Sequence, residues 1–194
     1  MVATAVLAAF SSPGDARKLH LFRSHSARRV PPARVVMVRP QPVHYQWSLG
    51  QAPRAHSDLV AEFGKVGLNP GQYVWASSIP AGETRVVIDR LTQMGYVYRG
   101  NKLIGAAHVS TARQGHITPL GQWSVLEKRP FYRSKKYDNA PMPWKERIDN
   151  YGIALHGGGI PGYPESHGCI HLPVKFAEKL YALTRIGTKV VIEG

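Results

Sequence analysis

The stretch MGYVYRGNKLIGAAHVST, residues 94–111, decides the fold class. Aromatic and β-branched residues lie on both sides of Gly100 and Asn101, and this pattern predicts two strands joined by a tight turn. A hairpin of this kind has to pack on further strands to be stable. Further strands are therefore expected in the sequence on either side.

Short apolar, β-prone segments occur on both sides of the hairpin. The predicted strands are TRVVID (84–89), GQWSVLEK (121–128), GIALH (152–156) and TKVVIEG (188–194). The segment PVKFAEKLYALT, residues 173–184, predicts a helix, because Pro173 suits a first helical turn and the apolar residues recur at helical spacing. The pattern predicts a mostly-β domain with a mixed sheet.

A second helix is predicted in HSDLVAEFGKVGL, residues 56–68, with Ser57 or Asp58 as its cap. The expected organisation is then a short helix and linker over residues 56–83, followed by the main domain over residues 84–194. One or two helices are expected to pack on the strands.

Residues 1–55 differ in texture, since they are rich in Arg, Pro and Ser and have no sustained period. They predict a basic, low-complexity arm that is mostly disordered. The net charge is +7 over residues 1–54 and +6 over the rest of the chain. Such density suits either a solvated tail or a polyanionic partner. No aromatic-interleaved basic stripe or zinc-finger spacing is present, so nucleic acid is not expected.

The first residues contain a short apolar run, Val2–Phe10, which we interpret as the remnant of a secretion signal at residues 1–12. No Lys or Arg precedes the run, which departs from the usual signal pattern. No apolar run approaches twenty residues, so no membrane-spanning segment is expected. The single cysteine rules out an internal disulfide.

That cysteine lies in HGGGIPGYPESHGCIHLP, residues 156–173. The stretch contains the spacing G-x-G-x-x-G, but Pro161 and Pro164 disrupt the helix that a dinucleotide fingerprint needs. Three interpretations of Cys169 remain: an ordinary buried thiol, a nucleophile or a metal ligand.

The metal interpretation rests on alternation. If the segment is extended, His167, Cys169 and His171 face one way, and with His156 they form a His3Cys set that suits zinc. The paired ligand spacing of structural zinc sites is absent, and we expect no metal.

The nucleophile interpretation needs a base, a held imidazole and amides that face an oxyanion. His156 at the end of a predicted strand is a candidate base. Gly168, directly before Cys169, allows a tight turn with open amides.

The stretch LHGGGIPGYPESHGCIHLP resembles the signature of the L,D-transpeptidase (YkuD-type) family: a histidine, a variable loop and then Ser/Thr-His-Gly-Cys. Three further segments resemble the family: RVVIDRLTQMGYVYRGNKLIG, VSTARQGHITPLGQWSVLEK and GTKVVIEG. The similarity covers about residues 84–193. It implies a YkuD-like β-sandwich or mixed-sheet domain with Cys169 as nucleophile, His156 as general base and the Gly157 backbone orienting His156.

The resemblance also implies an oxyanion hole made by the amides of Gly168 and Cys169, with a contribution from His167. Ser166 and His167 would shape the loop. Tyr163 is a candidate for lining a peptide groove, although aromatic residues more often belong to the core or to surface packing.

The departure from the family is His171, where Arg or Asn is usual. Histidine lacks the permanent fork of donors of Arg, so a contact to a substrate carboxylate would become pH-dependent. The basic segment KRPFYRSKKYDNAPMPWKER, residues 128–147, is either a solvated loop or a substrate-facing one.

The implied activity is acyl transfer on peptidoglycan stem tetrapeptides through a cysteine thioester, without a cofactor. Hydrolysis of the same bond, as an L,D-carboxypeptidase, and a non-catalytic peptidoglycan- or zinc-binding module are the alternatives. Peptidoglycan stems lie outside the cytoplasmic membrane, so a periplasmic or cell-wall-associated, exported protein is expected.

Overall fold

Ten strands and two helices make up the computed structural model, which describes residues 44–194. In chain order they are α1 (Gln51–Phe63), β1 (Tyr73–Trp75), β2 (Thr84–Asp89), β3 (Met94–Arg99), β4 (Lys102–His108), β5 (Gly121–Ser124), β6 (Glu127–Arg129), β7 (Lys145–Arg147), β8 (Ala154–Gly157), β9 (Ile170–Leu172), α2 (Val174–Leu183) and β10 (Lys189–Glu193). The signal remnant predicted at residues 1–12 lies outside the described residues. So does most of the predicted arm, of which only residues 44–55 are described.

The strands form two mixed sheets. The larger sheet has the order β1-β4-β3-β2-β10-β5, and the smaller sheet has the order β6-β7-β8-β9. The decisive hairpin is β3–β4, with a bulge at Val97 and Tyr98. The prediction of a mostly-β fold with one or two packed helices is confirmed.

The prediction of a single strand over residues 121–128 is wrong, because the segment forms two strands. Its first half, β5, pairs with β10 in the larger sheet, and its second half, β6, pairs with β7 in the smaller sheet. Val125 between them is fully buried in the core that both sheets share. The chain therefore changes sheets at this point, which strand propensity alone does not reveal.

The first helix is displaced from its predicted position. It spans Gln51–Phe63 rather than residues 56–68, and neither Ser57 nor Asp58 caps it. Its N-terminus is instead held by Glu193 of β10, whose carboxylate accepts the backbone N–H groups of Leu49, Gln51 and Ala52 at 2.8, 3.1 and 2.8 Å. Val66, inside the predicted range, lies beyond the helix and is exposed.

The segment before residue 84 packs closely on the larger sheet. Ala52, Ala55 and Leu59 of α1 are fully buried against that sheet. Strand β1, in the stretch expected to be a linker, pairs with β4. Neither helix within residues 44–194 is long and apolar enough to cross a membrane.

The pair β8–β9 positions the signature. These strands are parallel, with Leu155 opposite Ile170 and His156 opposite His171. One face carries Leu155, Ile170 and Leu172, which are buried in the core next to α2. Because side chains alternate along a strand, the two histidines lie on the other face.

Candidate active site

Cys169 directly precedes β9, so alternation places its side chain on the same face as His171 and His156. Its sulfur lies 3.8 Å from the Gly152 carbonyl oxygen and is hydrogen-bonded to the backbone of Ala154 on the neighbouring strand. The residue is half-buried. The structure thus brings the two residues predicted to be catalytic, Cys169 and His156, to one face of one strand pair.

His156 is buried, with 5% of its surface exposed, and its orientation is fixed from the backbone. Its Nδ1 lies 2.9 Å from the carbonyl oxygen of Gly157, as the resemblance implied. A carbonyl can only accept, so Nδ1 carries the proton and Nε2 keeps its lone pair. This tautomer leaves Nε2 able to accept a proton.

Both groups are neutral at neutral pH. Burial lowers the pKa of His156 to about 4, and the nearby His171 and Lys145 act in the same direction. Burial also raises the pKa of the Cys169 thiol, and the Ala154 hydrogen bond and the charge of Lys145 only partly oppose this. The resting pair is therefore thiol and imidazole rather than thiolate and imidazolium.

The loop before Cys169 is held by hydrogen bonds to its own backbone. The Ser166 hydroxyl donates to the Cys169 carbonyl at 2.6 Å and accepts the Gly168 N–H at 3.0 Å. The Thr118 hydroxyl donates to the Gly168 carbonyl at 2.8 Å. The Gly168 amide, expected to face an oxyanion, is thus engaged within the loop, because the Ser166 hydroxyl lies within its reach.

Gly168 is needed for its conformation. Its φ is +139°, and a Cβ there would lie 2.4 Å from a side-chain carbon of Ile153 and 3.1 Å from the carbonyl oxygen of Ile117. Side chains rarely adopt this backbone geometry, and the available space excludes one. The Ser-His-Gly-Cys motif therefore needs glycine for shape.

His171 has a clear local role. Its Nδ1 lies 3.3 Å from the Gly159 carbonyl oxygen and 3.7 Å from the Glu165 carboxylate, and its ring lies 4.8 Å from that of His156. Burial lowers the pKa of His171, which these two oxygen contacts partly oppose. The residue that departs from the family pattern thus ties the glycine loop to the strand pair.

His167 faces a different neighbourhood. Its ring stacks on Tyr137 with centroids 4.2 Å apart, its edge meets His116, and its Nε2 lies 2.7 Å from Arg113. Within residues 44–194 no three His, Cys, Asp or Glu side chains are arranged to hold a metal ion. The zinc interpretation lacks the cluster it requires.

Tyr163 is exposed over 61% of its surface, and its carbonyl oxygen accepts a hydrogen bond from Ser110. Ser110 also accepts the Glu165 N–H at 3.1 Å, so it fixes the loop at two points. Ser110 and Thr118 were missed as framework residues. Both lie in the segment VSTARQGHITPLGQWSVLEK, whose resemblance to the family could have indicated a role near the site.

Lys145 was also missed. It lies on β7 beside β8, is only 5% exposed, and its Nζ lies over the ring of Tyr132 at 3.6 Å and 3.4 Å from Glu127. The sequence indicated only a basic segment over residues 128–147. A buried lysine next to the pair of His156 and Cys169 follows from strand pairing, not from local pattern.

Comparison with known proteins identifies the class. The family model of the L,D-transpeptidase catalytic domain, YkuD, matches residues 83–192. This is more than half of the chain, and the chain belongs to the L,D-transpeptidase (YkuD) family. The predicted family is confirmed, and the domain is that of an L,D-transpeptidase-type enzyme.

Solved structures support the fold. An L,D-transpeptidase from Stackebrandtia nassauensis is 27% identical, with a TM-score of 0.54, and the match covers 60% of this chain and 58% of that one. One from Mycobacterium tuberculosis H37Rv is 21% identical, with a TM-score of 0.55 and 57% of each chain covered. One from Xylanimonas cellulosilytica DSM 15894 is 24% identical, with a TM-score of 0.52 and coverage of 61% and 63%.

The matches span less than two thirds of the length of these structures. The comparison with curated proteins gave no match.

Proposed function

We propose that this chain catalyses two-step acyl transfer on peptidoglycan stem tetrapeptides. Cys169 is the nucleophile and His156 the general base. The observation that carries the proposal is the bond from His156 to the Gly157 carbonyl, which leaves Nε2 free on the strand face that also bears Cys169. Membership of the family supports the same assignment.

In the first step the Cys169 sulfur attacks the carbonyl at the L-centre of the diamino acid, and its proton passes to Nε2 of His156. The bond between carbonyl carbon and sulfur forms while the bond to the D-alanine nitrogen breaks. His156 returns the proton to that nitrogen, and D-alanine leaves. The product is a thioester on Cys169.

In the second step an amine of another stem attacks the thioester and loses a proton to His156. The peptide bond forms, and the proton returns to the sulfur. Stabilisation of the oxyanion is assigned to the Cys169 amide, because the Gly168 amide is engaged by Ser166. Ser166, Gly168 and Gly157 shape the site, and His167 borders it.

The neutral resting pair has a consequence for rate. A thiol with a raised pKa reacts slowly until a base removes its proton, so Nε2 of His156 has to act during the attack. His156 with a pKa of about 4 remains able to do so at all pH values well above 4.

The test is intact mass after incubation with purified disaccharide-tetrapeptide. Wild type should gain a thioester adduct and release D-alanine, and Cys169→Ala should gain none. His156→Gln should slow acylation by roughly 10²–10⁴-fold, while His56→Gln, an exposed position on α1, should match wild type. Turnover by a folded Cys169→Ala variant would refute the assignment.

The fate of the thioester is measured in the same samples. A cross-linked product after addition of a second stem is expected, whereas release of a free tripeptide alone would make the chain an L,D-carboxypeptidase. Because stems lie outside the cytoplasmic membrane, the proposal includes export to the periplasm or cell wall, which cell fractionation would test.

A further inference from the structure

A cavity of about 380 Å³ opens beside the proposed nucleophile. It is bounded on one side by Gly152, whose carbonyl oxygen lies 3.8 Å from the Cys169 sulfur. Most of its remaining wall comes from β6, β7 and the segment between them: Glu127, Arg129, Tyr132, Lys135, Lys145 and Arg147. The cavity therefore continues the same face of the smaller sheet.

The register explains why these side chains converge. Glu127 pairs with Arg147, and Arg129 pairs with Lys145, so all four point to one face. Arg147 in turn pairs with Ala154, whose face also carries His156. The basic side chains therefore lie on the same face of the smaller sheet as the proposed catalytic pair.

The charges in the cavity do not balance. Four basic side chains line it, against one carboxylate. Glu127 is shared among three of the cations, with oxygens 3.3 Å from Arg129, 3.4 Å from Lys145 and 3.4 Å from Arg147. Burial alone would raise the pKa of Glu127, but Lys145 and Arg129 outweigh it and lower the pKa.

Asp149, which directly precedes the cavity-lining residue Asn150 in the chain, does not neutralise the cavity. The Asp149 carboxylate is buried and accepts the backbone N–H groups of Tyr151, Gly152 and Ile153 at 3.0, 2.8 and 2.7 Å. Lys145 is buried by Tyr132 and Glu127, which costs desolvation free energy for a cation. An anion in the cavity would offset that cost.

We propose that this cavity is a subsite that binds a carboxylate of the acyl-donor peptide and holds it beside Cys169. This proposal rests on the proposed function and deepens it. Guanidinium groups match carboxylates well, and the exposed Arg129 supplies one. The Arg147 guanidinium already donates to the Glu127 carboxylate and to the Asp149 carbonyl oxygen, so it contributes positive charge rather than a free fork. The subsite takes over the carboxylate contact that His171, bound to its own loop, does not supply.

Three forms of one tetrapeptide test the subsite. The first has all carboxylates free, the second has the terminal D-alanine as its amide, and the third has the side-chain carboxylate of the diamino acid as its amide. Acylation rates are measured by intact mass. At least one amide should lower kcat/KM of wild type by about tenfold or more, and the amide that does so identifies the bound group.

The variants use exposed positions so that folding is preserved. Arg129→Gln with Lys135→Gln should lose most of this discrimination, because two cations are removed from the cavity wall. Arg185→Gln with Lys175→Gln is the matched control, since it removes two exposed cations from outside the cavity. Equal rates for the three peptides, or a double variant that discriminates like wild type, would overturn the subsite.

Binding to Cys169→Ala separates the two proposals. The dissociation constants of the three peptides are measured on this variant, which cannot form the thioester. A preference for free carboxylates without acylation of wild type would sink the proposed function and support the subsite. Equal affinities would overturn the subsite whatever the acylation result.

Discussion

Two glutamates with almost no exposed surface, Glu193 at the end of β10 and Glu146 in the middle of β7, differ in the number of hydrogen bonds that their carboxylates accept. Glu193 accepts four hydrogen bonds, three from backbone N–H groups and one from the Ser48 hydroxyl. Glu146 accepts one from Thr184 at 2.5 Å, and its second oxygen is buried without a partner within the described residues.

The difference shows in their acidity. Burial would raise the pKa of Glu193, but the hydrogen bonds from Ala52, Ser48, Leu49 and Gln51 outweigh it and lower the pKa. Burial raises the pKa of Glu146 to about 7. Both carboxylates have almost no exposed surface, but Glu146 is surrounded by more protein and has one donor where Glu193 has four. The depth of burial and the number of donors together decide whether the charged form is stabilised.

The largest effect is expected from Glu193→Ala. The substitution leaves three N–H groups at the start of α1 without their acceptor, so the free energy of unfolding should fall by about 4 kcal/mol. Urea denaturation measures it. Glu178→Ala, which removes an exposed carboxylate paired with Lys175, should cost well under about 1 kcal/mol. A loss for Glu193→Ala as small as that would contradict the capping role.

Glu146→Gln tests the other side of the comparison. The folded-state pKa of Glu146, about 7, lies above its ordinary value of 4.5. Its contribution to stability is therefore fully present below about pH 4.5 and lost as pH rises through 7. The unfolding free energy of Glu146→Gln minus that of wild type should therefore rise by on the order of 3 kcal/mol between pH 4 and pH 8.

Unfolding free energies at the two pH values check this prediction. His156, whose pKa is lowered to about 4, contributes in the opposite direction, because its stability is lost as pH falls from about 6.5 to 4. It is present in both proteins and cancels in the difference. Glu62→Gln, at an exposed pair, is the control; a pH-independent difference for Glu146→Gln would count against the prediction.

The candidate site extends the comparison to a thiol. Cys169, like Glu146, has too few donors for its charged form, and burial raises its pKa. Alkylation by iodoacetamide should rise about tenfold per pH unit, roughly 100-fold from pH 7 to pH 9, because only the thiolate reacts. Glutathione serves as the parallel reference. A flat, fast rate from pH 5 to pH 8 would show a thiolate–imidazolium pair and break the comparison.

Local patterns predicted a large part of this molecule. The hairpin of β3 and β4, helix α2 and the strand that ends near His156 follow from periodicity and turn residues. The motif itself indicated Cys169 and His156, which the fold places on one face. These features depend on neighbours within a few residues.

The rest depends on partners far along the chain. Helix α1 begins at Gln51 because Glu193, more than 140 residues later, holds its N-terminus. The amide of Gly168 is occupied because Ser166 turns its hydroxyl inward, a side-chain choice that spacing does not encode. Lys145 reaches the site only through the pairing of β7 with β8.

The position of β10 has a consequence for how the protein is made. This strand follows all other described strands in the chain, yet it lies between β2 and β5, pairing parallel to the former and antiparallel to the latter. On the ribosome β5 cannot join the larger sheet, and β2 stays at its edge, until residues 189–193 emerge. Because β2 precedes β10 by about a hundred residues in the chain, the final step is an insertion with a high loop-closure cost, and we expect it to limit the rate of folding.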